Sequence, residues 1–333
     1  MNRRTLSFVA GGAGFAIGLR HALALRFFED KVVAITGGSR GLGLVIAREV
    51  ARHGGRLAIC ARDSAEVERA IAELSATGAQ VMGVACDVSE EPQARAFIES
   101  TLRRFGRIDV LLNVAGIISV GPLESMGADD FYEAMEANFY GLMHTSLAIL
   151  PHLRARRAGR IVNITSIGGA VAVPHLLPYS ASKFAAVGFS HGLAAESARY
   201  GISVTTVMPG IMRTGSHVNA LVKGQRELEG AWFSVSASSM LTSSSAKRAA
   251  RKILRACALR QRVVYVGFGM KLAHLALVAA PGIVSRAIGL ASRLLPEPGG
   301  AGPEAMAEPV WKFDVPAAKA GERASRENNE LQP

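Results

Sequence analysis

The sequence predicts an α/β fold: a single doubly wound Rossmann domain with a parallel sheet of about seven strands and a C-terminal helical extension. Three observations predict it. Short β-branched apolar runs recur along most of the chain, helical patterns separate them, and a glycine-rich turn sits between the first run and the first helix. Strands alternating with helices build parallel βαβ units. Runs that are apolar at every position suit a sheet covered on both faces. A chain of 333 residues, 49% hydrophobic and 20% charged, has length for one such domain with extensions.

The first run, Val32–Ile35, ends at Thr36, and Leu44–Val50 reads as the first helix. Between them lie Gly37, Ser39, Arg40, Gly41, Leu42 and Gly43. Such a turn lets backbone N–H groups approach a phosphate, and the helix N-terminus adds partial positive charge. The glycines are spaced G-x-x-x-G-x-G, not the commoner G-x-G-x-x-G. A turn alone would also fit an ordinary helix cap; the flanking strand and helix favour a nucleotide.

The second run, Leu57–Ala61, is followed by Arg62. Dinucleotide folds place an acid here for the ribose 2′-OH, or an arginine nearby for a 2′-phosphate. Ala61 stands at the acid's place, and Arg40 and Arg62 supply two guanidiniums. Two such groups favour NADP(H) over NAD through charge-assisted bonds; the alternative is a pair of solvated surface charges. The third run, Val81–Ala85, leads to Asp87 and Val88, with Asp87 a candidate for the adenine amino group or a helix cap. The fourth, Val110–Asn113, leads to Ala115 and Gly116 at the edge where open α/β sheets bind ligands. Ile161–Thr165, Val204–Met208 and Arg262–Val266 complete the strands.

Tyr179 and Lys183 are four residues apart at the start of an apolar helical run, Ala181–Arg199, so they share a face. A free phenol is a poor acid or base at neutral pH, and a neighbouring ammonium lowers its pKa. The pair thus suits proton transfer to or from a carbonyl oxygen; by itself it also fits a packed tyrosine beside a snorkelling lysine. Ser166 closes the strand before it. Asn138 sits within a helical pattern, where asparagine is disfavoured, which allows a kink or a water-binding role; taken alone, a capping or exposed asparagine is the better reading.

Taken together, Thr36-Gly37-x-x-x-Gly41-x-Gly43, Asp87-Val88, Asn113-x-Ala115-Gly116, Asn138, Ser166, Tyr179-x-x-x-Lys183 and Pro209-Gly210 resemble the short-chain dehydrogenase/reductase family over Lys31 to Gly267. The resemblance implies a carbonyl–alcohol oxidoreductase using NADP(H). It implies Tyr179 as acid/base, with Lys183 holding the nicotinamide ribose and lowering the tyrosine pKa. It makes Ser166 the residue that orients the substrate carbonyl, and Asn138 the holder of a relay water. Pro209, Gly210 and Thr214 would meet the nicotinamide end, and Asn113, Ala115 and Gly116 would border the coenzyme. Val114 departs from the family's more usual asparagine; packed under the strand end, it should cost no activity. Family precedent also implies a homodimer or homotetramer joined through helices near Ala134–Leu150 and Ala181–Arg199. Residues 211–242 lose the strand–helix alternation. In the family this stretch is a lid, and here it carries Trp232 and Phe233, which favours an apolar substrate slightly over a surface loop of no set specificity.

Four segments result: an apolar, basic extension (1–28), the Rossmann domain (29–267), an amphipathic helical extension (268–295) and a disordered tail (296–333). Thr5–Leu19 is uncharged over fifteen residues, four of them glycine. That is short of the roughly 20 that span a bilayer, so an uncleaved membrane-surface segment is preferred over a signal peptide. The protein is accordingly expected on the cytoplasmic side of a membrane. Net charge is +11, and seven basic residues with no acid lie in 246–266. A solvated helix face is the first account of that run and an anionic membrane surface the second. Aromatics at 6% and the lack of a recognition motif argue against nucleic acid. Cys60, Cys86 and Cys257 have no metal-ligand spacing and read as buried apolar residues. A reading from another class also stands: a membrane-associated nucleotide-binding scaffold or redox sensor without turnover.

Overall fold

The computed structural model describes residues 23–238, 244–267, 269–300, 302–315 and 322–330. Residues 1–22 of the proposed membrane extension (1–28) and residues 239–242 of the lid lie outside the described residues. The core alternates β1 (Val32–Thr36), α1 (Gly41–Arg52), β2 (Arg56–Ala61), α2 (Ser64–Ser75), β3 (Val81–Ala85), α3 (Glu91–Phe105) and β4 (Val110–Asn113). A short β5 (Ser119–Val120) precedes α4 (Ala128–Met135), a π-helical turn (Glu136–Tyr140) and α5 (Gly141–Arg156). Next come β6 (Gly159–Ile164), α6 (Leu177–Ser197), β7 (Ile202–Pro209), and the short β8 (Met212–Arg213) and β9 (Leu221–Val222). After them come α7 (Arg226–Ser238), β10 (Ser244–Ser245), α8 (Ala246–Ala258) and β11 (Val263–Val266). The chain ends in α9 (Met270–Ala279), α10 (Pro281–Ala291), β12 (Glu308–Pro309) and α11 (Glu322–Glu327).

The seven long strands form one sheet in the order β11-β7-β6-β4-β1-β2-β3, with every pair parallel. The order reverses between β1 and β4, which opens a crevice at their carboxyl ends. Each face of the sheet carries its own core. Ile35, Leu44, Ile46, Leu57 and Ile253 lie in one, and Ala34, Phe97, Leu111, Ile149 and Ile161 in the other. The expected doubly wound fold is therefore the observed one.

Asp109 pins the amino end of β1. Its Oδ2 accepts from the Val32 N–H at 2.9 Å and Arg107 Nε at 3.0 Å, and its Oδ1 accepts from Arg156 Nη2 at 2.9 Å. Burial alone would raise its pKa; the Val32 N–H, the Arg156 bond and the charges of Arg107 and Arg156 outweigh it and hold the carboxyl low. The stability it adds is thus present above the ordinary carboxylate range and lost as pH falls through its lowered pKa. Asp109→Ala leaves the Val32 N–H without its acceptor and leaves Arg107 and Arg156 with backbone carbonyls in place of a carboxylate. We expect a loss of about 3 kcal/mol in urea unfolding at neutral pH, and a smaller one in acid.

The readings of the extension and of the tail are corrected. Ala24, Leu25 and Phe28, assigned to the extension, are buried in the core, and the Arg160 guanidinium stacks 3.6 Å over the Phe27 ring. The lid contains a regular helix, α7. The tail is also placed: β12 pairs antiparallel with β9, Val310 and Val315 pack with Phe233 and Val222, and Glu330 is buried. Its low periodicity hid these contacts because they are with distant segments, not with itself.

In α8 the apolar face, including Ala249, Ile253 and Leu254, is buried, and Arg251 Nε reaches Glu49 at 3.0 Å. The first five basic residues of the run, Lys247 to Arg255, thus form the outer face of a core helix, and Arg260 and Arg262 follow it. The two helices beyond it have no fully buried residue: α9 and α10 meet at a 120° bend, with Leu272, Val278 and Ile283 exposed, and Leu294 after them. No single described helix is long and apolar enough to cross a membrane; only this bent pair reaches that composition together.

Candidate active site

A cavity of about 810 Å³ runs along the carboxyl edge of the sheet, from the β1–α1 turn to the lid. At one end the turn is packed too tightly for side chains. A Cβ on Gly43 would lie 1.9 Å from the Gly37 carbonyl oxygen. Gly37 has φ +63°, and its own Cβ would lie 2.8 Å from Ala115 Cα. Arg40, the residue before α1, caps it with no side-chain bond, so the helix N-terminus faces the cavity with its positive end. This cradle fits a dinucleotide's phosphates.

Most of the residues singled out in the sequence line this cavity: Gly37, Ser39, Arg40, Gly41, Leu42, Gly43, Arg62, Asp87, Val88, Ala115, Gly116, Asn138, Ser166, Tyr179, Lys183, Pro209, Gly210 and Thr214. Asn113 does not. It is buried in β4, donating to Asn163 Oδ1 at 2.9 Å and Ser146 Oγ at 3.0 Å, and accepting from Thr145 Oγ1 at 2.7 Å. These bonds use both of its N–H donors and hold its amide in the core, so Asn113 ties the sheet to α5 instead of meeting a ligand. Val114 is half-buried against the core, as expected, and its N–H donates to Thr36 Oγ1. Asp87 lines the cavity and also shapes its own turn, accepting from the N–H and hydroxyl of Ser89.

At the far end, β6 leads to Ser166 and the first two turns of α6 deliver Tyr179 and Lys183. A Cβ on Gly168 would touch both Ser166 Oγ and Tyr179 Cε1 at 3.3 Å, which places the two side chains about one small residue. Ser166 Oγ accepts the Gly168 N–H at 3.0 Å, which leaves its own proton to donate. Burial pushes the Tyr179 phenol up, and its bond with Ser166 only partly opposes this. Burial brings Lys183 down to about 8. Its Nζ lies 5.7 Å from the Tyr179 ring centre and 3.5 Å from the Ile164 carbonyl oxygen. The expected lowering of the tyrosine pKa by Lys183 is therefore not found in the free protein. Desolvation dominates, and the phenol holds its proton.

Asn138 lies in the π-helical turn between α4 and α5. Such bulges re-aim a side chain within a helix. Its Oδ1 accepts the Ile117 N–H at 3.1 Å, and its Nδ2 donates to Ser182 Oγ at 3.1 Å. One donor and one acceptor position remain on the amide. A Cβ on Gly116 would lie 2.5 Å from Asn138 Oδ1 and 3.3 Å from Lys183 Nζ, so these groups converge.

Above the tyrosine, Leu176, Phe233, Val310 and Val222 form a third apolar cluster, with Trp232 and Phe313 packed on it. Trp311 and Pro309 from the tail also line the cavity. The sequence offered no signal for these, nor for Glu66 and Glu330, which stand on either side of Arg40 at 3.5 and 3.0 Å.

The family model for short chain dehydrogenases matches residues 31–223. The chain belongs to that family. A zebrafish (Danio rerio) relative named dehydrogenase/reductase SDR family member 7B is 32% identical over 273 residues, covering 78% of this chain and 86% of that one. Levodione reductase from Leifsonia aquatica is 34% identical over 197 residues, 58% of this chain and 74% of its own. The crystal structure of a short-chain dehydrogenase from Streptomyces avermitilis superposes with a TM-score of 0.68 at 26% identity, over 79% of this chain and 98% of that one. This dehydrogenase is thus an oxidoreductase of CH–OH and C=O groups in a family that uses a nicotinamide dinucleotide, and it carries extensions at both ends.

Proposed function

We propose that the protein is an NADP(H)-dependent reductase of apolar ketones or aldehydes, with Tyr179 as the general acid. The convergence of Ser166, Tyr179 and Lys183 beneath the apolar cluster, at the opposite end of the cavity from the glycine turn, carries this reading. When bound, the nicotinamide supplies the hydride. Ser166, whose hydroxyl bonds Tyr179 in the free protein, turns its proton to the substrate oxygen and fixes the carbonyl. Tyr179 then gives up its proton as charge grows on that oxygen, and the Lys183 ammonium stabilises the tyrosinate that remains. Asn138 has one donor and one acceptor left for a water that returns the proton. Pro209, Gly210 and Thr214 border the nicotinamide end, and Arg40 and Arg62 favour a 2′-phosphate where no acid stands at Ala61. The test is NADPH consumption by the purified protein on a panel of apolar ketones and aldehydes, beside NADH. Turnover with NADPH supports the reading. Tight NADPH binding without turnover on any member would favour the scaffold or sensor.

The exposed hairpin of α9 and α10 favours a membrane partner as well. From residue 246 to 296 the chain has no acidic residue, and Lys271, Arg286 and Arg293 accompany the exposed leucines and valines. Apolar side chains edged by cations suit an anionic lipid interface. Met270, which opens α9, sits where a Cβ on Gly210 would meet its sulfur at 2.4 Å, so the hairpin begins at the nicotinamide end of the cavity. An apolar substrate could thus enter from the lipid side. We expect the full chain to float with phosphatidylglycerol vesicles and Leu272→Asp/Ile283→Asp to remain behind; equal flotation of both would end this reading. Leu147 on α5 and Phe184 on α6 are exposed apolar residues that suit the homodimer or homotetramer contact.

A further inference from the structure

Residues 322–330 form a short strap across the cavity mouth. Its anchors are on both banks. On the turn side, the Gly41 N–H donates to the Asn328 carbonyl at 2.8 Å, and Asn329 Nδ2 donates to the Ser39 carbonyl at 3.0 Å. On the lid side, Asn328 Nδ2 donates to the Thr214 carbonyl at 2.9 Å, and Asn219 Nδ2 donates to Glu330 Oε2 at 2.8 Å. Arg40 Nη1 completes the set, donating to the Glu330 carboxylate at 3.0 Å.

The chemistry of these contacts is that of an anionic ligand. A glycine N–H at the start of α1 and a guanidinium beside it are the groups that a phosphate would use. Here a peptide carbonyl takes the first and a carboxylate the second. The Glu330 carboxylate sits so close to Gly41 that a Cβ there would lie 2.2 Å from Oε1. It is 2% exposed, with Arg40 and Asn219 donating to its carboxylate. We infer that residues 322–330 are an internal ligand of the phosphate-binding turn, which NADP(H) must displace, and that Glu330 sets how readily it does so.

This rests on the proposed NADP(H) reading. The 2′-phosphate of NADP(H) competes with Glu330 for Arg40, whereas NAD(H), which carries only the pyrophosphate, has less to offer that arginine. The strap is also held at some cost. Burial pushes the Glu330 carboxyl up to about 7 despite Arg40 and Asn219, and Glu66 adds a repelling charge. A contact of this kind can yield to a better anion, and a coenzyme that binds only the open form has its apparent affinity reduced by the open fraction.

The test uses the full chain and NADPH itself, with two readouts. In fluorescence titrations Glu330→Gln should bind NADPH about tenfold more tightly than the wild type, with a smaller gain for NADH, as for a strap open about a tenth of the time. In hydrogen exchange on the unaltered protein, amides of 322–330 should exchange faster when NADPH is bound. Unchanged or weaker NADPH binding by Glu330→Gln, or slower exchange in the strap, would overturn the inference, because the segment would then be a clamp over the coenzyme. Those results leave the coenzyme reading standing. Absence of nucleotide binding in both proteins would remove that reading and the strap with it.

Discussion

Tyr179→Phe should lower kcat/KM for NADPH-dependent reduction by about 10³-fold, the usual worth of a positioned general acid, while NADPH affinity stays close to that of the wild type. The substitution removes one hydroxyl and keeps the ring that packs beneath the third apolar cluster. Affinity and rate should therefore separate. The pH profile offers a second reading of the same site. With its pKa raised by burial, Tyr179 keeps its proton across the neutral range and is ready to donate it. Lys183, at about 8, is charged below that value and neutral above it. Charge on Lys183 is what stabilises the tyrosinate, so reductive kcat/KM should be flat in neutral solution and fall as pH rises through about 8. If the profile stayed flat well into alkaline pH, the lysine charge would not be contributing. A variant that keeps full activity would remove Tyr179 from the chemistry.

The parts of this molecule that could be read from the sequence are those whose signal is local. Val32–Gly43 announces a strand, a turn and a helix within a dozen residues, and Tyr179 and Lys183 fall on one helix face by spacing alone. The sheet follows from runs that are apolar at every position, a pattern imposed by helices on both faces. Asn113 shows where local reading stops. Its position at a strand end is compatible with ligand contact, and only the packing of β4 against β6 and α5 reveals that its amide is bonded to Asn163, Ser146 and Thr145. Glu330 is the extreme case. It meets Arg40 across 290 positions, in a stretch with no periodicity, so no window along the chain contains both partners. The same distance hides Phe28 and Val310, each buried by contacts with elements far from it in sequence. Arg40, read as a free cation for a phosphate, is therefore already shared between Glu66 and Glu330.

Gly43→Ala should weaken NADPH binding by about 100-fold, near 3 kcal/mol, the upper range of what one extra methyl costs in a packed site. The new methyl would lie 1.9 Å from the Gly37 carbonyl oxygen and 2.8 Å from its carbon. Neither atom belongs to a flexible side chain. Gly37 cannot retreat easily, because it holds φ +63° and is pressed against the backbone of Ala115. The strain is relieved only if the turn opens and the N-terminus of α1 moves off the cavity. That movement separates the N–H groups of the turn from the phosphates they would bind. It leaves the body of the sheet alone, since β1 remains paired with β2 and β4 on both sides. Calorimetric titration with NADPH and thermal unfolding of the same sample distinguish the two consequences. The expected result is a large loss of affinity with a modest fall in melting temperature. Equal affinity in the variant would show that the coenzyme does not rest on this turn, whereas outright unfolding would assign the glycine to stability alone.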